Sequence, residues 1–461
     1  MIENKEIIDN SNKSLKFKVI RPGGNDTALV EGIIDPSQRE NINDTLMKLY
    51  PNVEQVGFVD LKSPTPQLMM AGGEFCGNAT RSTAWQFLNG QQGEVQLSVS
   101  GVNKPLNAGV DENGEAYAQM PIYQDPSNIT DIGDNTYIVR MEGITHYITF
   151  DTSQIDGLNP EEIKTKAMET LKSQQLDREP AAGVIYTQKD EKGLTITPVV
   201  YVRDIDTLFL ETACGSGTTA LGQVLSLQQG TSIIDEPIMQ PTGLPIKVTV
   251  IFDGQEFKEV MIRGPVVPLI EATLEITSDA VYAIEQVKRN QDLDLFISEG
   301  NLGQLYKEIF SGPPYFEEFS MEEVLSIFNN YVNFGELFIA RNIDKVIGFS
   351  AVVPLVIQKD VAEIAQGFCI RPEEWMYFAD LGVEEESRRK KIGKKLVQRT
   401  LESLRSGKNI ILRTAKENIP AQNLYSQLGF IRLKNMTQIV PQTRVDGKPQ
   451  DDMRIFMVKQ L

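Results

Sequence analysis

From Leu15 onward, short strand-like runs rich in apolar residues follow one another. Phe17–Ile20, Gln96–Val99 and Tyr137–Arg140 are examples. Each run stops at turn-forming residues: Pro22–Asn25, Gly101 and Glu142–Gly143 respectively. Short runs of this kind bounded by Gly, Pro, Asn and Asp predict strands joined by tight turns. Two stretches change to helical spacing after Gly-rich turns. One starts near Asn78 and runs through Ala84, Trp85 and Leu88; the other starts near Ser216 and runs through Leu221, Val224 and Leu225. Strand patterns resume at Ile246–Phe252, Glu259–Arg263 and Ala272–Ile276, and Ser278–Asp292 reads as a charged, helix-prone stretch. The character then changes. Helical patterns at Gly303–Phe310 and Met321–Tyr331 precede further strands and two more helices. The expected organisation is a polar lead over 1–14, one domain over about 15–278, a boundary near 280, and a second domain over 281–461.

Length and charge narrow the function. A chain of 461 residues holds about two to four domain-sized units. Asp and Glu number 63 against 45 Lys and Arg, a net charge of −18. Such a chain is a poor holder of phosphate backbones, so neither nucleic acid nor an anionic membrane is expected as a partner. The segment Met1–Lys18 has no apolar signal-peptide centre, and no apolar run is long enough to span a bilayer. Three cysteines are too few for a disulfide scaffold and fit a reducing, cytoplasmic setting. The single histidine, His146, leaves little scope for zinc-hydrolase or Ser-His-Asp chemistry, and no metal site is expected. His146 lies in an alternating strand pattern and reads as a packed structural residue.

One internal echo carries chemistry. Residues 76–80 read C-G-N-A-T and residues 214–218 read C-G-S-G-T. Each follows an extended run and opens a helical pattern, as two similar lobes facing one cleft would. A helix N-terminus offers unpaired N–H groups and the positive end of the helix dipole. Cys76 and Cys214 at such turns are therefore expected to have lowered thiol pKa values. The amides of Gly77, Asn78 and Ala79, and of Gly215, Ser216 and Gly217, would form an anion cradle. Two thiols facing each other across a carboxylate can lift a proton from one face of a carbon and return one to the other. That is racemisation without a cofactor.

At these residues, 15–276 resemble the diaminopimelate epimerase-fold family of two-cysteine amino-acid racemases. The match rests on G-G-N-D-T at 23–27, G-G-E-F-C-G-N-A-T at 72–80, E-T-A-C-G-S-G at 211–217 and R-G-P at 263–265. Within that family, E-Q-V-G-F at 54–58, H-Y-I at 146–148 and the run from Tyr201 to Gly217 are similar to the histidine racemases of metallophore biosynthesis. Ile205 and Asp206 stand where diaminopimelate epimerases carry a Glu-Arg pair, so diaminopimelate is not the expected substrate. F-C-G-N-A-T also leans toward phenazine-type isomerases, which share the fold but lack the cysteine pair. The resemblance implies Cys76 and Cys214 as the acid/base pair. It implies Asn25, Asn78, Ser216 and their neighbouring amides as holders of the amino-acid head, with Glu54 and Glu211 as further polar contacts.

The second region has its own fingerprint. The strand-like Y-F-A-D-L-G-V at 377–383 runs into E-E-E-S-R-R-K-K-I-G-K-K-L-V at 384–397. Six basic residues within eight positions, Arg388 to Lys395, are a local exception in so acidic a chain. A basic loop opening a helix suits a pyrophosphate. With N-I-P-A-Q-N-L-Y-S-Q-L-G-F at 418–430, residues 281–461 resemble the GNAT N-acetyltransferases. The resemblance implies that acetyl-CoA is held by the backbone of Leu381 and Val383 and by Arg388, Arg389, Lys390, Lys391, Ile392, Gly393, Lys394 and Asn418. It implies Tyr425 as the acid for the departing thiolate. Lys391 replaces the first Gly of the family's phosphate loop. The general base is not legible; Glu363, Glu373, Glu374 and Glu385 are alternatives. Cys369 reads as a packed small hydrophobe.

The fold class expected is therefore a multidomain α+β and α/β chain. A two-lobed epimerase-like fold over about 15–278 is followed by an acyl-CoA N-acyltransferase fold over about 281–461. The expected function is bifunctional: racemisation of a free amino acid without a cofactor, and acetyl-CoA-dependent acetylation of an amine such as the racemised product. The alternatives are an acetyltransferase with a non-catalytic amino-acid-binding half, or a scaffold subunit of a metallophore pathway. Partners are expected to be small molecules, with the chain as a homodimer.

Overall fold

The computed structural model describes residues 13–461 apart from 192, 289, 299, 405–407 and 444–448. Most of the polar lead, residues 1–12, lies outside the described residues, while Lys13 and Ser14 already belong to a strand. The chain divides into two compact units at Glu271/Ala272, inside a strand.

The unit from Leu15 to Glu271 is built twice over. In its first lobe, β1 (Lys13–Arg21) and β2 (Asp26–Glu31) pair antiparallel. Helix α1 (Pro36–Leu49) returns the chain to β3 (Val53–Asp60), parallel to β2. β4 (Gln67–Met70) turns back on β3, and α2 (Gly77–Phe87) crosses to β5 (Gly93–Val99), parallel to β4. β6 (Leu106–Val110) and β7 (Ala116–Gln119) close the lobe.

The second lobe repeats this order. β8 (Ile129–Gly133) and β9 (Thr136–Met141) lead to β10 (Ile144–Thr149). Helix α3 (Pro160–Ser173) returns to β11 (Ala181–Asp190), parallel to β10. β12 (Gly193–Val202) turns back, followed by β13 (Thr207–Leu210). Helix α4 (Gly215–Gln229) crosses to β14 (Ile233–Met239), parallel to β12, and β15 (Pro245–Phe252) and β16 (Phe257–Gly264) finish. β7 and β16 pair antiparallel and join the lobes.

The two crossing helices explain their own composition. Nearly every residue of α2, and α4 from Gly215 to Ser226, is buried. A helix wrapped on all sides has no polar face, so its polar residues must be satisfied internally. Thr80, Thr83, Thr218 and Thr219 each donate back to the carbonyl four residues earlier, at 2.7, 2.8, 2.7 and 3.0 Å. Small residues let the sheets close in: a Cβ at Gly222 would meet Val248 at 2.9 Å. The Gly/Ala/Ser/Thr bias of both helices is the signature of this burial.

The unit from Ala272 is a single mixed sheet. The end of β17 (Val267–Ile276) pairs with β18 (Val281–Val287). Ser278–Asp292 thus departs from the helix expected there: a strand occupies its middle, and α5 (Asn290–Ser298) starts only at its end. Pairing on both sides, to β17 and β19, buries Tyr282 to Glu285 and Val287 and outweighs the helix-favouring Glu285, Gln286 and Lys288. Helices α6 (Leu302–Ser311) and α7 (Met321–Phe334) follow. β19 (Glu336–Arg341), β20 (Val346–Pro354), α8 (Lys359–Gly367) and β21 (Trp375–Val383) come next. Then come α9 (Ile392–Ser403), β22 (Asn409–Ala415), α10 (Ile419–Gln427), β23 (Ile431–Thr443) and β24 (Pro449–Gln460). Neighbours are antiparallel except β21 and β22. That parallel pair is joined only from Trp375/Asn409 to Phe378/Leu412; beyond it β21 runs on unpaired on that side. A bulge at Ala379 coincides with the parting.

Candidate active sites

Cys76 and Cys214 are the N-cap residues of α2 and α4, both in extended conformation. Each Sγ accepts from the third amide of its helix, Ala79 N and Gly217 N, both at 3.3 Å. Both cysteines are free and buried. The two helix starts meet: Asn78 Nδ2 donates to the carbonyl of Ala213 at 3.0 Å, and a Cβ at Gly215 would stand 3.3 Å from Asn78 Oδ1. A cavity of about 330 Å³ opens between them, lined by Asn25, Cys76, Gly77, Asn78, Glu211, Cys214, Gly215 and Ser216 among others. Ala79 and Gly217 do not line it; their amides are bonded to the thiols.

The other polar residues are held by backbone geometry. Gly24, at φ +133, lets the β1–β2 turn press on the segment before Cys214, because a Cβ there would lie 2.8 Å from Thr212 O and Ala213 Cβ. The turn delivers Asn25, whose Nδ2 donates to Glu211 at 3.1 Å and whose N–H donates to Thr212 Oγ1 at 2.6 Å. Glu54 reaches the same threonine, accepting from Thr212 N at 3.0 Å and from its hydroxyl. Glu54 lies not in the thiol cavity but in an adjoining one of about 360 Å³, which shares Gln55, Glu74 and Glu211 with it. Arg81, fully buried, fixes Asn78 Oδ1 and the carbonyls of Pro22 and Ala116.

Four contributors were not legible in the sequence. Gln55 donates to Glu211 at 2.7 Å, Glu74 lines both cavities, and Gln240 Oε1 accepts from Cys214 N at 2.9 Å. His146 is packed, as its strand pattern predicts, but its Nε2 is 2.9 Å from Ser216 Oγ, which is 3.5 Å from Cys214 Sγ. Its neighbour across the β10–β11 pair is Gly183, where a Cβ would fall 2.5 Å from His146 Nδ1. The alternation of Glu54–Gln55 along β3 and the closeness of Glu74 to Cys76 were the only local signals.

The electrostatics overturn one expectation. Helix termini favour thiolates, yet both thiols are pushed well up. Burial is the largest cause for each, and Glu211 adds to it. Burial likewise lifts Glu211 to about 8 and Glu54 and Glu74 to about 7, and holds His146 neutral at about 3. Neither cavity is lined by Lys or Arg. The wall is acidic, and the only donors for an anion there are amides and hydroxyls.

In the second unit, Leu381 and Val383 lie on the stretch of β21 that has parted from β22. Lys391 is the N-cap of α9 at φ +66, and no side chain caps the helix. The first amides of α9, those of Ile392, Gly393 and Lys394, are thus the orphan donors that suit a pyrophosphate. Arg389 also has positive φ, +65. Arg388 and Arg389 are exposed and Lys390 is half-buried, while Lys395 is drawn away to buried Glu275 at 2.9 Å. Arg388 Nε donates to Val383 O at 3.2 Å. The side chain of Asn418 is held by two contacts of its own: it accepts from Ala421 N at 3.2 Å and donates to Tyr315 Oη at 3.1 Å. Tyr425 is wedged between Phe378 and Phe430. Its hydroxyl has no partner among the described residues and is not sealed in the core. Cys369 is exposed in a turn after α8, not packed. The four glutamates Glu363, Glu373, Glu374 and Glu385 are all exposed.

With this geometry in place, comparison with known proteins decides the family. Residues 14–272 match the family described as the histidine racemase CntK N-terminal domain. The chain belongs to that family. Residues 302–430 match the acetyltransferase (GNAT) family, so an acetyl-CoA-using domain is fused to the racemase one and the chain is an enzyme of both classes. It is 30% identical over 283 residues to a histidine racemase of Fusobacterium nucleatum subsp. nucleatum, covering 58% of this chain and 100% of that one. It is 27% identical over 244 residues to the histidine racemase of Staphylococcus aureus, covering 50% and 86% respectively. A hydroxyproline epimerase from Agrobacterium vitis aligns in structure at TM-score 0.42 and 12% identity, covering 59% of this chain and 95% of that one. No described helix is long and apolar enough to cross a membrane.

Two predictions follow from the electrostatics and the loop. Glu211 carries a raised folded-state pKa, from an ordinary 4.5 to about 8. The folded state therefore holds a proton that the unfolded state releases, and this contribution fades as pH rises through that window. Glu211→Gln removes it, so the variant gains stability relative to wild type between about pH 4.5 and 8, read from urea midpoints. Lys391→Gly relieves a left-handed lysine, which costs about 1–2 kcal/mol. The variant is expected to raise the unfolding temperature of the second unit; a fall would show that the lysine side chain contributes more than the strain it carries.

Proposed function

We propose that the first unit racemises histidine with no cofactor, using Cys76 and Cys214 as acid and base on opposite faces of Cα. One observation carries this reading. Two free thiols cap two helix starts that meet at one cavity, and that cavity has acidic but no basic side chains. The α-carboxylate sits on the amides of Gly77 and Asn78 and of Gly215 and Ser216, where charge developing in the transition state is stabilised by fixed dipoles. The α-ammonium meets Glu211 and Asn25. The cationic or neutral imidazole extends into the adjoining cavity toward Glu54 and Glu74. Both curated relatives compared above are histidine racemases, and the acidic outer cavity suits that side chain.

The raised thiols fit this sequence of events. In the empty cavity the carboxylates of Glu211 and Glu74 oppose ionisation of Cys76. An arriving ammonium offsets that repulsion, so a thiolate forms only when substrate is present. Ser216 stands between His146 and Cys214, in contact with both.

The second unit, on this reading, acetylates an amine. Leu381 and Val383 would hold the pantetheine arm and the amides of Ile392, Gly393 and Lys394 the pyrophosphate; acetyl-CoA supplies the activated acetyl group. Tyr425 offers its free hydroxyl as the acid for the leaving sulfur. Acetylating one enantiomer would draw the racemase equilibrium in one direction. The chain works in solution on small molecules, in the cytoplasm, as a homodimer.

The test is racemisation of L-histidine followed by chiral chromatography. Cys76→Ser and Cys214→Ser are each expected to lose about 10²–10⁴-fold in rate, because a serine hydroxyl is too weak a base for a Cα proton. Full activity in either variant would contradict the two-thiol reading.

A further inference from the structure

The second unit lacks an obvious proton acceptor among the glutamates that its sequence offers. The structure supplies one elsewhere. Asp380 lies on β21 one residue past the bulge at Ala379 and two past Phe378, the last residue paired with β22. It stands at the mouth of the opening that Leu381 and Val383 continue. Two tyrosines converge on one of its oxygens: Tyr306 of α6 donates to Oδ2 at 3.2 Å, and Tyr331 of α7 donates to the same atom. Oδ1 has no partner among the described residues and is not sealed in the core. Both tyrosines are themselves buried, and Tyr306 is locked by ring contacts with Phe310, Phe319, Phe328 and Phe349.

A carboxylate with one oxygen saturated and the other open is a directed acceptor. The two cations that act on its charge are already engaged: Arg413 pairs with Asp360, and Arg454 with Glu317 at 2.9 Å and Asp452 at 3.4 Å. Resting on the acetyltransferase reading above, we propose that Asp380 Oδ1 binds the acceptor's ammonium and takes its proton, and that the acceptor is a small cationic primary amine. Tyr306 and Tyr331 are positioning residues that aim Oδ1 into the opening.

The step balances. Asp380 takes one proton from the ammonium and passes it to solvent, freeing the nitrogen lone pair. That pair forms the new bond to the acetyl carbon, and the carbon–sulfur bond breaks with its electron pair left on sulfur. Tyr425 gives the sulfur its proton and is restored by the second proton leaving nitrogen. The pKa directions support these roles. Burial raises Asp380 above the usual carboxylate range, toward a base suited to an ammonium. Burial, then Tyr315 and Asp380, push the Tyr425 hydroxyl well up, which keeps it protonated as an acid must be. The titratable groups facing Asp380 are Tyr306, Tyr315, Tyr331, Tyr377, Tyr425 and Glu317, with Arg413 and Arg454.

The experiment uses the full chain and three amines: L-histidine, D-histidine and 1,3-diaminopropane. Wild type, Asp380→Asn and Tyr331→Phe are compared for acetyl-CoA thermal shift, for calorimetric binding of 1,3-diaminopropane without acetyl-CoA, and for the pH profile of acetyl transfer. Asp380→Asn is expected to keep the thermal shift, lose the diamine heat at this site, and lose about 10²–10⁴-fold in kcat/KM. Tyr331→Phe removes a hydrogen bond that favours the Asp380 carboxylate, so it is expected to move the acidic limb of the profile to higher pH and retain measurable turnover. Asp380→Asn with undiminished diamine binding and turnover would overturn the proposal, as would a wild type that binds acetyl-CoA yet acetylates none of the three. A wild type without any acetyl-CoA shift would instead overturn the acetyltransferase reading, while the diamine binding still judges Asp380.

Discussion

Two helix N-termini are brought together, and each is capped by a cysteine. The rest of the first unit follows from that requirement. Helix starts carry unpaired donors and a positive end, so two of them at close range repel unless something negative or strongly accepting lies between. Here each cysteine Sγ caps its own helix and Asn78 bridges the gap. The acidic wall of Glu211, Glu74 and Glu54 adds the negative charge, partly protonated until a cation arrives. The duplicated lobes exist to deliver these two starts, each by a parallel crossover that buries its helix on all sides.

That burial governs the chemistry. A thiol at an exposed helix start would ionise readily, but here exclusion from water reverses the sign. Burial thus keeps both thiols neutral in the empty cavity; on the proposed mechanism, an arriving ammonium is what releases them. The second unit shows the same logic in other residues. Burial keeps the Tyr425 hydroxyl protonated, and Tyr306 and Tyr331 hold one oxygen of Asp380 while its other oxygen stays open.

Much of this was legible because it is local. The strand alternations, the two Cys-Gly turns, the basic loop and Tyr425 each sit within a few residues of their own signal. What was not legible depends on distant chain segments meeting. Gln55, Glu74, Gln240 and the His146–Ser216 contact reach the thiols only once β3, β10 and α4 are packed. Asp380 sat inside a recognised strand motif, but its meaning came from two helices some 50 and 75 positions earlier. Val281–Val287 was misread for a related reason: its charged residues favour helix, while its place between two strands decides otherwise. The direction of the thiol pKa values failed because a sequence reports a helix start but not the depth at which it is buried.

The central claim is that two different groups act on opposite faces of one carbon. The most direct measurement follows the isotope at Cα during the first few per cent of L-histidine conversion in D₂O. Separate acid and base predict that the D-histidine formed carries deuterium while the recovered L-histidine carries none. Deuterium appearing equally in both enantiomers from the start, or protium carried from substrate into product, would show a single group serving both faces and would contradict the account.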